Sequence, residues 1–190
     1  MRTPSRLVLA ARAALFAACG ACTTRPPAAP VAPPKPVEAT SVEKTASSKV
    51  TLKLNPAWAT CHSGFVPAGE QPAAVASALA LTCGAVTHFH KVGEAFAGSQ
   101  AAAAAPQAYR WSAKAGHCYR AYGAGAPSIK TMDVFIKDSA GIVLGQSASD
   151  DRAPVALDAG AVCFKEDDDA TVVVSIGDGS GAYAVELWGD

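Results

Sequence analysis

From residue 107 onward, apolar and polar residues alternate in short runs with a period of two, the pattern of half-buried strands. Tyr109 and Trp111 alternate with Arg110 and Ser112, and Met132, Val134 and Ile136 alternate with Asp133, Phe135 and Lys137. Residues 117–122, 141–147, 154–157, 161–165, 171–176 and 182–188 read as further strands. Between them lie turn formers: Gly123-Ala124-Gly125, Asp138-Ser139-Ala140-Gly141, Asp158-Ala159-Gly160 and Gly177-Asp178-Gly179-Ser180-Gly181. About eight strands at this spacing predict an antiparallel β-sandwich over residues 107–190. No helical pattern falls between them, which excludes a doubly wound α/β fold.

The pattern before residue 107 is different. Val75, Leu79, Cys83, Val86 and Phe89 recur at helical spacing, and Pro72 suits a first helical turn. Gly93 is expected to end or kink that helix. Residues 101–105 are all alanine and predict a second short helix stopped by Pro106, with a flexible bridge over 97–106 as the alternative. The expected class is therefore α+β, a short helical part at 50–106 packed on the β-sandwich. The two parts suit one domain or two small layers sharing a core.

The first fifty residues follow neither pattern. Arg2, Arg6 and Arg12 precede the apolar run Ala13-Ala14-Leu15-Phe16-Ala17-Ala18, which has the form of an export signal. The run is too short to span a bilayer, which takes about 20 apolar residues. Leu15-Phe16-Ala17-Ala18-Cys19-Gly20 resembles the lipobox of bacterial lipoproteins, although Phe16 stands where that family has leucine. The resemblance implies a signal peptide over 1–18 and acylation of Cys19, with Cys22 as the alternative. Residues 19–49 would then carry the lipid and form a spacer. Six of the 27 residues from Thr23 to Lys49 are proline and none is aromatic, so the segment has little to bury. As extended polyproline chain it would reach roughly 80 Å. The implied location is the cell envelope, at the outer membrane rather than the inner. The implied partner is a membrane, reached through the lipid.

The chain carries 16 basic and 16 acidic residues, and cleavage before Cys19 removes three arginines and no acid. The remainder is mildly acidic, which argues against nucleic acid as a partner.

Residues 109–188 resemble the small β-sandwich domains of the pre-peptidase C-terminal type found in secreted bacterial proteins. The likeness rests on Tyr109-Arg110-Trp111-Ser112-Ala113-Lys114-Ala115-Gly116, on the strand and turn from Met132 to Gly141, and on Gly181 with the strand that follows it to Trp188. It implies an accessory module and carries over no catalytic residue. Cys118, Cys163 and the helical part depart from that family.

Leaving out Cys19 and Cys22, four cysteines remain: Cys61, Cys83, Cys118 and Cys163. An even set in an exported chain points to two disulfides. Of three connectivities, Cys61–Cys83 with Cys118–Cys163 is favoured, because each pair lies within one structural part. The competing reading is a metal site. All four histidines lie near these cysteines, and His88-Phe89-His90 would put two imidazoles on one face of a strand, though not of a helix. Zinc and haem spacings are missing from the folded part, and no cofactor is expected. Asp150-Asp151, Glu166-Asp167-Asp168-Asp169 and Asp178 fall at turns, where solvated carboxylates are the reading and calcium the alternative.

No Gly-x-Ser-x-Gly, His-Glu-x-x-His or phosphate-loop motif occurs. The expected function is a lipid-anchored, non-catalytic envelope protein that binds a glycan or an envelope protein, or serves a structural role. Trp58, Phe65, Tyr119, Tyr122 and Phe135 are the candidate contact aromatics. The alternative is a metal-binding or metal-dependent envelope protein using His88 and His90.

Overall fold

A computed structural model describes residues 48–84, 88–147 and 151–190 of the chain. The signal peptide over 1–18, Cys19, Cys22 and the spacer up to residue 47 lie outside the described residues, as do Val86 and Asp150. Of the spacer, Ser48 and Lys49 are described, and both are tied to the fold. The Lys165 backbone N–H donates to the Lys49 carbonyl at 2.8 Å. The Lys165 ammonium donates to the Ser48 carbonyl at 3.2 Å.

The fold is α+β and dominated by antiparallel strands. β1 (Val50–Leu54), α1 (Pro56–Ser63) and α2 (Pro72–Gly84) come first. β2 (His90–Lys91), β3 (Phe96–Ala101), β4 (Gln107–Ala113), β5 (Cys118–Gly125) and β6 (Ile129–Lys137) follow. β7 (Val143–Gln146), β8 (Gly160–Phe164) and the long β9 (Asp168–Gly189) complete the chain. The hydrogen-bonded order is β1-β8-β5-β9-β6-β7, while β2, β3 and β4 also pair with β9. The sheet nearly closes where the Leu157 N–H donates to the Gln146 carbonyl at 3.0 Å.

β9 organises everything else. Its first half pairs with β4 and β6, and its second half with β3 and β5. The glycine cluster at 177–181, expected as a turn between two strands, is instead a bend within this one strand. Gly179 has φ +90°, and a Cβ there would sit 2.1 Å from the Ser128 carbonyl oxygen, so only glycine fits. Beyond the bend the strand leaves one ladder and enters the other. The inward side chains of both ladders meet in a single core: Val134, Ile136, Val172 and Val174 from one, Ala121, Val162, Val185 and Leu187 from the other.

The helices cover one side of β5 and β9. Asn55 caps α1, its side-chain oxygen accepting from the Ala57 N–H at 3.0 Å, and Pro56 opens the first turn. Val75, Leu79 and Cys83 of α2 are buried, as their spacing requires. α2 is described over Pro72–Gly84, and Phe89, further along the chain, joins the core packed 6.0 Å from Trp58.

Three further segments differ from their sequence pattern. Residues 50–106 are not simply helical, because they also hold β1, β2 and β3. Residues 101–105 form no helix. Ala101 ends β3 against Ser180, Ala103 turns with φ 63°, and the Gln100 amide donates to the Ala104 and Ala105 carbonyls. Five alanines are too short to nucleate a helix against an available ladder. Residues 154–157 form no strand either, only an isolated bridge from Val155 to Tyr122.

Candidate functional site

The two disulfides are Cys61–Cys83 and Cys118–Cys163. The first joins α1 to α2. The second joins β5 to β8 at directly opposed positions. With all four thiols bonded, thiolate ligation of a metal is unavailable. His88 and His90 are exposed on either side of the buried Phe89, and His88 adopts φ 61°. Among the described residues, no cluster of three His, Cys, Asp or Glu is placed to hold a metal ion.

The acids read as turn tips are engaged locally. Asp167 accepts from the Ala115 N–H and the Lys114 ammonium, each at 2.9 Å. The Ala115 N–H and then Lys114 hold its carboxyl below the usual range. Asp168 accepts from the Ser139 N–H at 3.1 Å and lies 3.7 Å from Lys49. Asp151 accepts from the Ala153 N–H at 2.6 Å.

Of the five candidate aromatics, Trp58, Tyr119 and Tyr122 are buried, and Phe65 is half-buried against the helical clusters. Core packing, not ligand contact, explains those four. Phe135 is different. Along β6, Met132, Val134 and Ile136 point into the core, so Phe135 and Lys137 point away from it.

That outer face is a three-stranded surface whose rows are set by register. Phe135 pairs with Val173, and Val173 with Ala108. In the next row, Lys137 pairs with Thr171, and Thr171 with Arg110. Beyond it, Ser112 pairs with Asp169, its hydroxyl donating to the carboxylate at 3.3 Å. Arg110, Trp111, Ser112, Ser139, Asp169 and Thr171 line a groove of about 460 Å³ along this face. The Arg110 and Lys137 head groups have no ion-pair or hydrogen-bond partner among the described residues, although they flank the same threonine. The face therefore offers two cations without a partner among the described residues, hydroxyl groups, the carboxylates of Asp133 and Asp169, and a half-buried aromatic ring. Sequence alternation marks these positions as outward. It does not reveal that three strands bring Arg110, Thr171 and Lys137 into one row.

Two other polar centres are internal. His62, on α1, approaches the Ala153 carbonyl through Nε2 at 2.9 Å and Asp158 Oδ1 through Nδ1 at 3.2 Å. The Asp158 carboxylate outweighs burial and holds the imidazole above its ordinary pKa. Nearby, the fully buried Arg120 guanidinium lies 4.5 Å from the Trp58 ring centroid and donates to the Tyr122 hydroxyl and the Asp158 carbonyl. Burial lowers its pKa. Glu186 of β9, also buried, accepts from Ser77, Lys91 and Trp188 at 2.6, 2.8 and 3.0 Å. These contacts tie helices, strands and loops together around the core.

Comparison with known proteins found no family model and no curated protein that matches this chain.

Proposed function

We propose that this chain is an exported lipoprotein of the bacterial cell envelope and that its folded part is a binding module. In this reading the signal over 1–18 is removed, Cys19 is acylated (Cys22 is the alternative), and the proline-rich segment spaces the module from the outer membrane. The two β-ladders are read as the layers of a sandwich joined through β9, in keeping with an accessory module of the pre-peptidase C-terminal type. The module is read as non-catalytic.

The observation that carries the proposal is the pair of disulfides in the folded part. Such bonds persist in oxidising compartments outside the cytosol, the destination that the N-terminal signal specifies. The face bearing Phe135, Thr171 and Arg110 is the surface assigned to ligand. Labelling cells with radioactive palmitate tests the anchor. Wild type should carry label in the membrane fraction, and either Cys19→Ala or Cys22→Ala should lose it. Label absent from wild type, or retained in both variants, overturns the proposal.

A further inference from the structure

We infer that the outer face of the β4-β9-β6 ladder binds an acidic saccharide, with a sugar carboxylate held between Arg110 and Lys137 and a pyranose ring laid against Phe135. This deepens the binding-module reading and rests on it.

Arg110 and Lys137 flank Thr171 in one row, on the outward side of adjacent strands. Other charged side chains nearby are already engaged: Lys114 with Asp167, and Asp168 with Ser139 and Lys49. Arg110 and Lys137 have no partner among the described residues, and the two carboxylates of the same face are held by hydroxyls, Asp169 by Ser112 and Asp133 by Ser147. Guanidinium matches a planar carboxylate in shape and in its pair of parallel donors, and the lysine adds a second charge from the far side. The Thr171 hydroxyl lies between them and can donate to the same group.

The rest of the face selects a sugar among anions. Ser112 and Ser139 provide hydroxyls that both donate and accept, and the Asp169 carboxylate accepts. This mixed set suits a ligand with several hydroxyls of its own. Phe135 supplies what a polar groove lacks. It is an outward-facing aromatic ring, half-buried beside Val173, that core packing does not account for. A pyranose presents an apolar C–H face able to cover such a ring. From β6 to β4 the face is about 10 Å across, the width of two inter-strand spacings, so a short oligosaccharide can reach both the ring and the arginine.

The test uses the full chain in detergent and two probes of equal size: a trisaccharide of galacturonic acid and its fully methyl-esterified form, which keeps the rings and loses the charge. Calorimetric titration should show the acid binding at least tenfold more tightly than the ester. Arg110→Gln with Lys137→Gln should abolish that difference. Phe135→Ser should weaken both probes, and far-ultraviolet circular dichroism should confirm that each variant folds. Equal binding of acid and ester, or binding of the acid that the double variant leaves unchanged, overturns the inference. No binding of either probe also overturns it. Titration with extracted envelope polysaccharide then separates the two levels. Binding that Phe135→Ser weakens would retain the module reading and discard only the acidic sugar, whereas no binding would count against the module as well.

Discussion

His62 Nδ1 stands 3.2 Å from Asp158 Oδ1, and this contact fastens α1 to the segment between β7 and β8. The opposite ring nitrogen meets the Ala153 carbonyl at 2.9 Å, so both sides of the imidazole face acceptors. That environment favours the charged ring. A pKa raised in the folded state stabilises the fold most below the unfolded value of about 6.5, and the contribution is lost as pH rises through the folded value. Wild type should therefore exceed His62→Gln in melting temperature by more at pH 5.5 than at pH 8.5. Thermal scans of both proteins across that range check it, and a gap that does not change with pH contradicts it.

Glu186 behaves in the opposite sense. Burial alone would push its carboxyl up, but hydrogen bonds from Lys91, Ser77 and Trp188 outweigh burial and hold it below the ordinary value. Its contribution is present above the unfolded pKa of about 4.3 and lost as pH falls through the folded value. Glu186→Ala removes the acceptor for three donors, and the variant should lose about 2 kcal/mol or more near neutral pH. Urea denaturation at pH 7 and pH 3.5 should show the loss shrinking at the lower pH.

The bend in β9 depends on glycine. Gly179→Ala would place a methyl group against the Ser128 carbonyl at a backbone angle that non-glycine residues avoid. The variant should unfold at clearly lower urea concentration, with a cost of about 1–3 kcal/mol from the backbone alone. Gly116→Ala is the comparison. It shares a positive φ, but no atom lies within 4 Å of the added methyl, so its loss should be smaller.

The disulfides close loops of different length, with separations of 22 and 45 residues. In the chain-entropy model they stabilise by about 3 and about 4 kcal/mol. The paired variant Cys118→Ala with Cys163→Ala should therefore be less stable than Cys61→Ala with Cys83→Ala, as read by urea denaturation. The reverse order would show that local packing at α1 and α2 outweighs loop length.

Sequence reading succeeded where one element buries one face. Val75, Leu79 and Cys83 lie on one side of α2, and Met132, Val134 and Ile136 alternate along β6. The cysteine pairing was legible because each pair falls within one part of the chain. Reading failed where tertiary contacts override local preference. Residues 101–105 favour helix as a peptide but are held by Gln100 and by the end of the β3 ladder. Gly177, Gly179 and Gly181 read as a turn because the same residue type serves a hairpin and a bent strand. Phe135 was legible as a candidate contact residue. Its partnership with Arg110, Thr171 and Lys137 was not, since it depends on the register of three strands distant in sequence.

The measurement that bears most directly on the proposed lipid anchor and disulfides is the intact mass of the native protein from the membrane fraction, with and without reductant. A lipoprotein of this kind should start at Cys19, or at Cys22, carry the mass of its acyl groups, and gain four hydrogens on reduction of its two disulfides. An unacylated chain in the soluble fraction, or one whose mass is unchanged by reductant, would contradict the proposal.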